Sequence, residues 1–142
     1  MGFDITLFTV EEANALVKAL RPELDRLAAL KAEADRLELR CEVLSLTVSA
    51  GGSESSPEAR ELREAQALRA ARAGEIARGV EAIHARGCLL KDLDAGLVDF
   101  YALRGDRLVF LCWRRGEPEV AHWHPLEAGF AGREPLDAGE RE

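Results

Sequence analysis

Two histidines separated by a single residue, His122 and His124, supply imidazole donors of the kind that bind zinc or iron. On a β-strand, side chains two apart point to the same face, so both rings could reach one ion. A metal site needs three or more ligands. The nearest further donors are Asp92, Asp94, Asp99, Glu117, Cys112 and His84, none at a spacing diagnostic of a metal centre. The plainer reading is a pair of strand histidines flanking Trp123 and bonded to backbone, and the sequence favours it.

Asp92, Asp94 and Asp99 form a second group. Carboxylates held close together can divide the roles of general acid and base, because like charges push one pKa upward. Turns use the same residue type, and Asp94-Ala-Gly96 has the chemistry of a hairpin turn. Asp99 differs because it lies inside an apolar run, where a charge needs a partner. Arg104, Arg107 and Arg133 are the candidates, and each could equally grip an anionic ligand. Gly129-Phe-Ala-Gly-Arg133 reads either as a small anion-binding loop or, preferentially, as a structural corner with Phe130 packed inward. Cys88 and Cys112 sit in apolar runs and read as inert buried thiols.

The elements that position these groups follow from periodicity. Thr9 and Glu12 have the spacing of a capping box, so a helix should start near Val10. A heptad then places Ala13, Leu20, Leu27, Ala34, Cys41 and Val48 at one seam position and Leu16, Leu30, Leu37 and Leu44 at its partner. Glu23 breaks the second series and Leu24 can take its place. Pro22 predicts a kink near Ala19 to Arg21 or a break into two helices. The Gly- and Ser-rich stretch 49–56 reads as a flexible turn, after which Ser56-Pro57 caps a second helix running to Arg86 before Gly87. Its apolar stripe weakens at Gln66 and Arg69, so the loop end should pack less tightly.

From Cys88 onward, short apolar runs alternate with turn residues, as in a three- or four-stranded antiparallel meander, with an irregular tail over 125–142. The expected class is α+β: a long antiparallel helical hairpin (residues 1–87, helices about 10–48 and 57–86) followed by a small β domain (residues 88–142) packed at its base. Trp113, Trp123, Phe100, Phe110 and Tyr101 are most simply that domain's core.

Composition limits the function classes. The chain has 142 residues and a net charge of −7, with the acidic excess spread over both halves, so neither half offers the positive field a nucleic acid requires. Three cysteines without a paired short spacing give no disulfide framework, which fits a reducing cytoplasm. The acidic opening and the lack of a long apolar run predict neither export nor a membrane span.

Four segments together resemble the uncharacterised bacterial family catalogued as domain of unknown function 2203. They are Lys91-Asp-Leu-Asp-Ala-Gly-Leu-Val-Asp-Phe100, Leu111-Cys-Trp-Arg-Arg-Gly-Glu117, Trp123-His124 and Gly129-Phe-Ala-Gly-Arg133. The opening Phe8-Thr-Val-Glu-Glu-Ala-Asn14 is similar to the start of the same family, so the resemblance covers nearly the whole chain. Tyr101 departs from the proline expected there. The resemblance implies the two-part architecture and carries over no activity, cofactor or catalytic residue.

The function expected on these grounds is a non-catalytic interaction or structural module that forms a homodimer through its helices. Leu20, Leu27, Leu30, Leu37 and Leu44 would form the oligomer seam, and the β domain would act as a cap carrying a ligand site. The alternative is a metal-dependent or small-molecule-binding enzyme that uses His122, His124 and Asp99. A divalent metal is the one cofactor the residues suggest, and nothing in the sequence names a small-molecule ligand.

Overall fold

The computed structural model describes residues 4–51 and 53–140. The first helix, α1 (Val10–Ser49), starts where the capping box predicts. The Thr9 amide donates to Glu12 Oε1 at 2.9 Å and the Glu12 amide to Thr9 Oγ1 at 3.0 Å, satisfying two N–H groups that the helix start leaves without partners. Pro22 lies inside α1 and does not break it, contrary to one of the two expectations. Proline forfeits one backbone hydrogen bond, but Pro22 is on the exposed side, where water can serve the freed carbonyl. Leu20 and Leu24, both buried, anchor the turns on either side.

The second helix, α2 (Pro57–His84), begins with Ser56 Oγ accepting the Ala59 amide at 3.1 Å and with proline in the first turn. It ends two residues before Arg86 because the Arg86 and Gly87 amides bond three residues back, to Ile83 and His84. Gly87 then turns the chain at a φ of 97°, and a Cβ there would stand 2.5 Å from Thr6, so both conformation and space require glycine.

The chain divides into two compact units whose boundaries cross the helices, at Asp25/Arg26 and Gly79/Val80. The unit spanning residues 26–79 is an antiparallel helical hairpin. Gly79 lies against Leu27, Arg72 Nε forms an ion pair with Glu33 at 3.0 Å, and the Arg40 guanidinium grips both Glu61 oxygens at 2.8 and 2.9 Å. Leu27, Cys41, Leu44, Ala59 and Ala65 are its buried side chains. The stripe on α2 is exposed from Gln66 to Ala71, where the sequence weakens it.

The other unit holds the two chain ends and a five-stranded antiparallel sheet, with strands β1 (Leu89–Asp92), β2 (Leu97–Arg104), β3 (Arg107–Arg114), β4 (His122–Pro125) and β5 (Glu134–Pro135) in sequential order. The tail expected to be irregular supplies β5, which adds one strand to the meander. At the first turn Asp92, not Asp94, accepts the Ala95 amide, at 3.1 Å.

Alternation gives the sheet two faces. Val98, Phe100, Ala102, Val109, Leu111, Trp113 and Trp123 share the apolar face and are all buried. The start of α1 packs on it. Phe8 meets Phe100 edge-on at 5.2 Å, Arg21 stands over Trp113, and Asn14 Oδ1 accepts the Val120 amide at 2.7 Å. Val10, Ala13, Val17, Leu20 and Leu24 are buried in this unit at alternating three- and four-residue spacing. Among the described residues, no helix is long and apolar enough to cross a membrane.

Candidate functional site

The opposite face of the sheet carries the polar chemistry. Strand register places Asp99 beside Cys112 and Cys112 beside His122 in one cross-strand row, with Tyr101, Phe110 and His124 in the next. Three consecutive strands thus bring an acid, a thiol and two imidazoles, distant in sequence, to neighbouring positions. The aromatic row is contiguous: the Tyr101 and Phe110 rings are 4.6 Å apart, and the Phe110 and His124 rings 5.4 Å.

Asp99 and His124 meet directly. His124 Nε2 stands 3.1 Å from each Asp99 carboxylate oxygen, and the residues are only 3% and 2% exposed. The other ring nitrogen, Nδ1, lies 2.8 Å from the Pro125 carbonyl oxygen, which can only accept, so Nδ1 carries a hydrogen. Cys112 completes the group: its sulfur, a carboxylate oxygen of Asp99 and a ring nitrogen of His124 all lie within 4.8 Å of one another. Burial, reinforced by the neighbouring Asp99 charge, pushes the Cys112 thiol up to about 12.

Asp99 takes none of the arginines expected for it. Arg104 pairs with Glu140 at 2.9 Å, Arg107 lies 3.8 Å from Glu127, and Arg133 holds Glu117 with two bonds of 2.9 and 2.6 Å. Each of the three candidate anion-binding arginines is therefore already matched to a carboxylate. Partial burial pushes the Glu117 carboxyl up, but the Arg133 guanidinium and the Arg114 amide outweigh it and hold it below the usual range. Gly129-Phe-Ala-Gly-Arg133 is a corner containing a short 3₁₀ turn (Phe130–Gly132), with the Arg133 guanidinium 4.2 Å over the Phe130 ring.

His122 does not join His124. Its Nδ1 faces Glu117 at 3.9 Å and is buried without a hydrogen-bond partner. Asp92 and Asp94 are exposed in the first turn, and His84 is exposed at the end of α2. Of the histidine pair and the three aspartates, then, only His124 and Asp99 come together, and Cys112 is the third member. The alternation of β3 puts Cys112 on the Phe110 face, but its place opposite Asp99 depends on strand register.

On the apolar face, a cleft of 310 Å³ is lined by Phe8, Val10, Leu103, Leu111, Trp123 and Glu140 among others, with Arg104 at its rim bonded to Glu140.

The expected oligomer seam is used within the chain. Leu20, Leu27 and Leu44 are buried, and Leu30 and Leu37 half-buried, so folding itself covers this face. The large apolar residues left outward on α1 are Leu39, Val43 and Leu46, 62%, 47% and 73% exposed. Their i, i+4, i+7 spacing sets them in one stripe on the helix side opposite Cys41 and Leu44.

Comparison with curated proteins and with solved structures gives no match. Residues 6–136 match the profile of a family described as an uncharacterized conserved protein, DUF2203, from Thr6 just before the capping box to the buried Leu136 after β5. The match takes in both helices and all five strands. On that extent the chain belongs to the DUF2203 family.

Proposed function

We propose that the protein is a non-catalytic interaction module that pairs with a second copy of itself through the outer face of α1. The observation that carries this reading is the stripe of Leu39, Val43 and Leu46, each at least 47% exposed within a helix whose opposite side is already packed. Isolated surface leucines need no explanation, whereas three large apolar residues at heptad spacing form half of a helix interface.

Charge selects the occupant. With Val43 at heptad position a and Leu39 and Leu46 at d, Arg40 falls at e and Asp35 and Glu42 at g. In a parallel pair, g of one copy faces e of the other, which sets Asp35 against Arg40. An antiparallel pair would set like charges together. Asp35 and Arg40 are engaged within the chain, with Lys31 and Glu61, through pairs whose four side chains are 34–59% exposed. Such exposed pairs contribute on the order of 0.2–1 kcal/mol and exchange readily. The burial of Asp99, Cys112 and His124 further supports a holding role over a catalytic one, since a substrate would have to reach atoms that water barely touches.

Light scattering on purified protein at micromolar concentration tests the proposal. Wild type is expected at twice the 15.6 kDa chain mass. Leu39→Glu/Leu46→Glu should return the single-chain mass with unchanged helical circular dichroism. A wild-type monomer would refute the reading.

A further inference from the structure

The Asp99, Cys112 and His124 cluster supports an inference separate from pairing. We propose that it is a binding site for a zinc-class divalent cation, which would tie strands β2, β3 and β4 together. The donor set suits the metal: a carboxylate oxygen, a thiol sulfur and an imidazole nitrogen are the three ligand types zinc takes, and they lie within 4.8 Å of one another.

Hydrogen bonding at His124 points the same way. Its Nδ1–H donates to the Pro125 carbonyl oxygen at 2.8 Å. Metal-ligating histidines commonly give their second N–H to a backbone carbonyl in this manner, which fixes the tautomer and aims the other nitrogen. In the neutral ring, Nε2 then presents a lone pair, 3.1 Å from two oxygens of a carboxylate that is itself an acceptor. Two acceptors facing each other in a buried site require something electropositive between them, either a proton or a cation. The cation also serves Cys112, whose sulfur adjoins the same carboxylate.

Charge balance supports the assignment. A divalent ion bound by one carboxylate, one thiolate and one neutral imidazole makes a site of zero net charge, which a buried position tolerates far better than an unbalanced one. The three arginines expected for Asp99, namely Arg104, Arg107 and Arg133, are held by Glu140, Glu127 and Glu117, and Arg133 also reaches the Cys112 sulfur at 4.0 Å, where its charge favours the thiolate. Each donor comes from a different strand, so binding would fasten β2, β3 and β4 together across the middle of the sheet.

The test uses the 142-residue chain, stripped with a chelator and titrated with Co²⁺, which reports thiolate and geometry optically. One Co²⁺ per chain is expected, with a thiolate-to-cobalt charge-transfer band, displaced by Zn²⁺. Cys112→Ser should lose the charge-transfer band. Because a core variant can fail to fold, wild type provides a second measurement: saturating Zn²⁺ should raise the thermal midpoint by about 5 °C or more, and chelator should reverse it. Lack of cobalt uptake by folded wild type, a charge-transfer band that persists in folded Cys112→Ser, or a midpoint indifferent to Zn²⁺ would each overturn the site.

Discussion

His124 Nε2 is equidistant, at 3.1 Å, from the two oxygens of Asp99, and the pair is almost entirely withdrawn from water. Such a contact costs far more to halve than to remove whole, because the survivor stays buried without its partner. Asp99→Leu or His124→Leu alone is expected to lower stability by about 3–5 kcal/mol. Asp99→Leu/His124→Leu should cost less than the two single losses added together. Urea unfolding of the four proteins decides it, and strict additivity would mean that the pair is not coupled.

Arg133 and Glu117 link the corner after β4 to the turn after β3 through two short bonds. The Glu117 carboxyl is held below its usual range in the folded chain. Its contribution is therefore complete above the unfolded carboxylate value and is lost as pH falls through the folded one. Arg133→Met should melt earlier than wild type at neutral pH, and the gap should close as the medium is acidified below the ordinary carboxylate range. A gap constant with pH would show that Arg133 acts by packing on Phe130 alone.

At Gly79 α2 packs directly on the Leu27 side chain of α1. A Cβ added there would stand 2.5 Å from Leu27 Cδ2, and Leu27 is fully buried and has little room to move. Alanine gains about 1 kcal/mol of helix propensity over glycine, while overpacking costs about 1–3 kcal/mol. Gly79→Val, with poorer propensity and more bulk, is expected to destabilise by about 2 kcal/mol. Leu27→Ala in the same chain should recover part of that loss, and failure to recover any would argue against direct contact.

Charge placed on the two sides of α1 should have opposite consequences for folding. Leu27→Asp puts a carboxylate into a fully buried position and should cost several kcal/mol or abolish folding, whereas Leu46→Asp, at a site 73% exposed, should stay within about 0.5 kcal/mol. Circular dichroism with chemical denaturation separates them. A large loss at Leu46 under dilute conditions would show that this face is needed for folding of the single chain.

Cys88 is fully buried, and burial pushes its thiol up to about 11. Little of it is thiolate at neutral pH, so iodoacetamide should leave Cys88 unmodified until the protein is unfolded. Mass mapping of the labelled peptide reads this directly, and labelling of native protein on the timescale of a free thiol would contradict it.

Local chemistry determined much of this fold. The Thr9/Glu12 box, Ser56-Pro57 and Gly87 act through neighbours one turn away, so the helix limits could be read to within two residues, and strand alternation revealed the meander. The sequence also marked Asp99 as a charge that needs a partner and showed a heptad on α1 interrupted at Glu23. Long-range pairing decided the rest. Which residue meets Asp99 depends on the register of β2 against β3 and of β3 against β4, where a shift of one residue would send every side chain to the other face. That register gave His124 to Asp99, left His122 beside Glu117, and drew Cys112 into the cluster. Helix propensity marked Pro22 as a kink or a break, yet α1 runs on unbroken, because burial of Leu20 and Leu24 on either side outweighs the single lost hydrogen bond. The seam leucines announced an interface, but periodicity does not say whether its other half lies in the same chain. Only tertiary packing showed that folding buries Leu20, Leu27 and Leu44 and leaves Leu39, Val43 and Leu46 for something else.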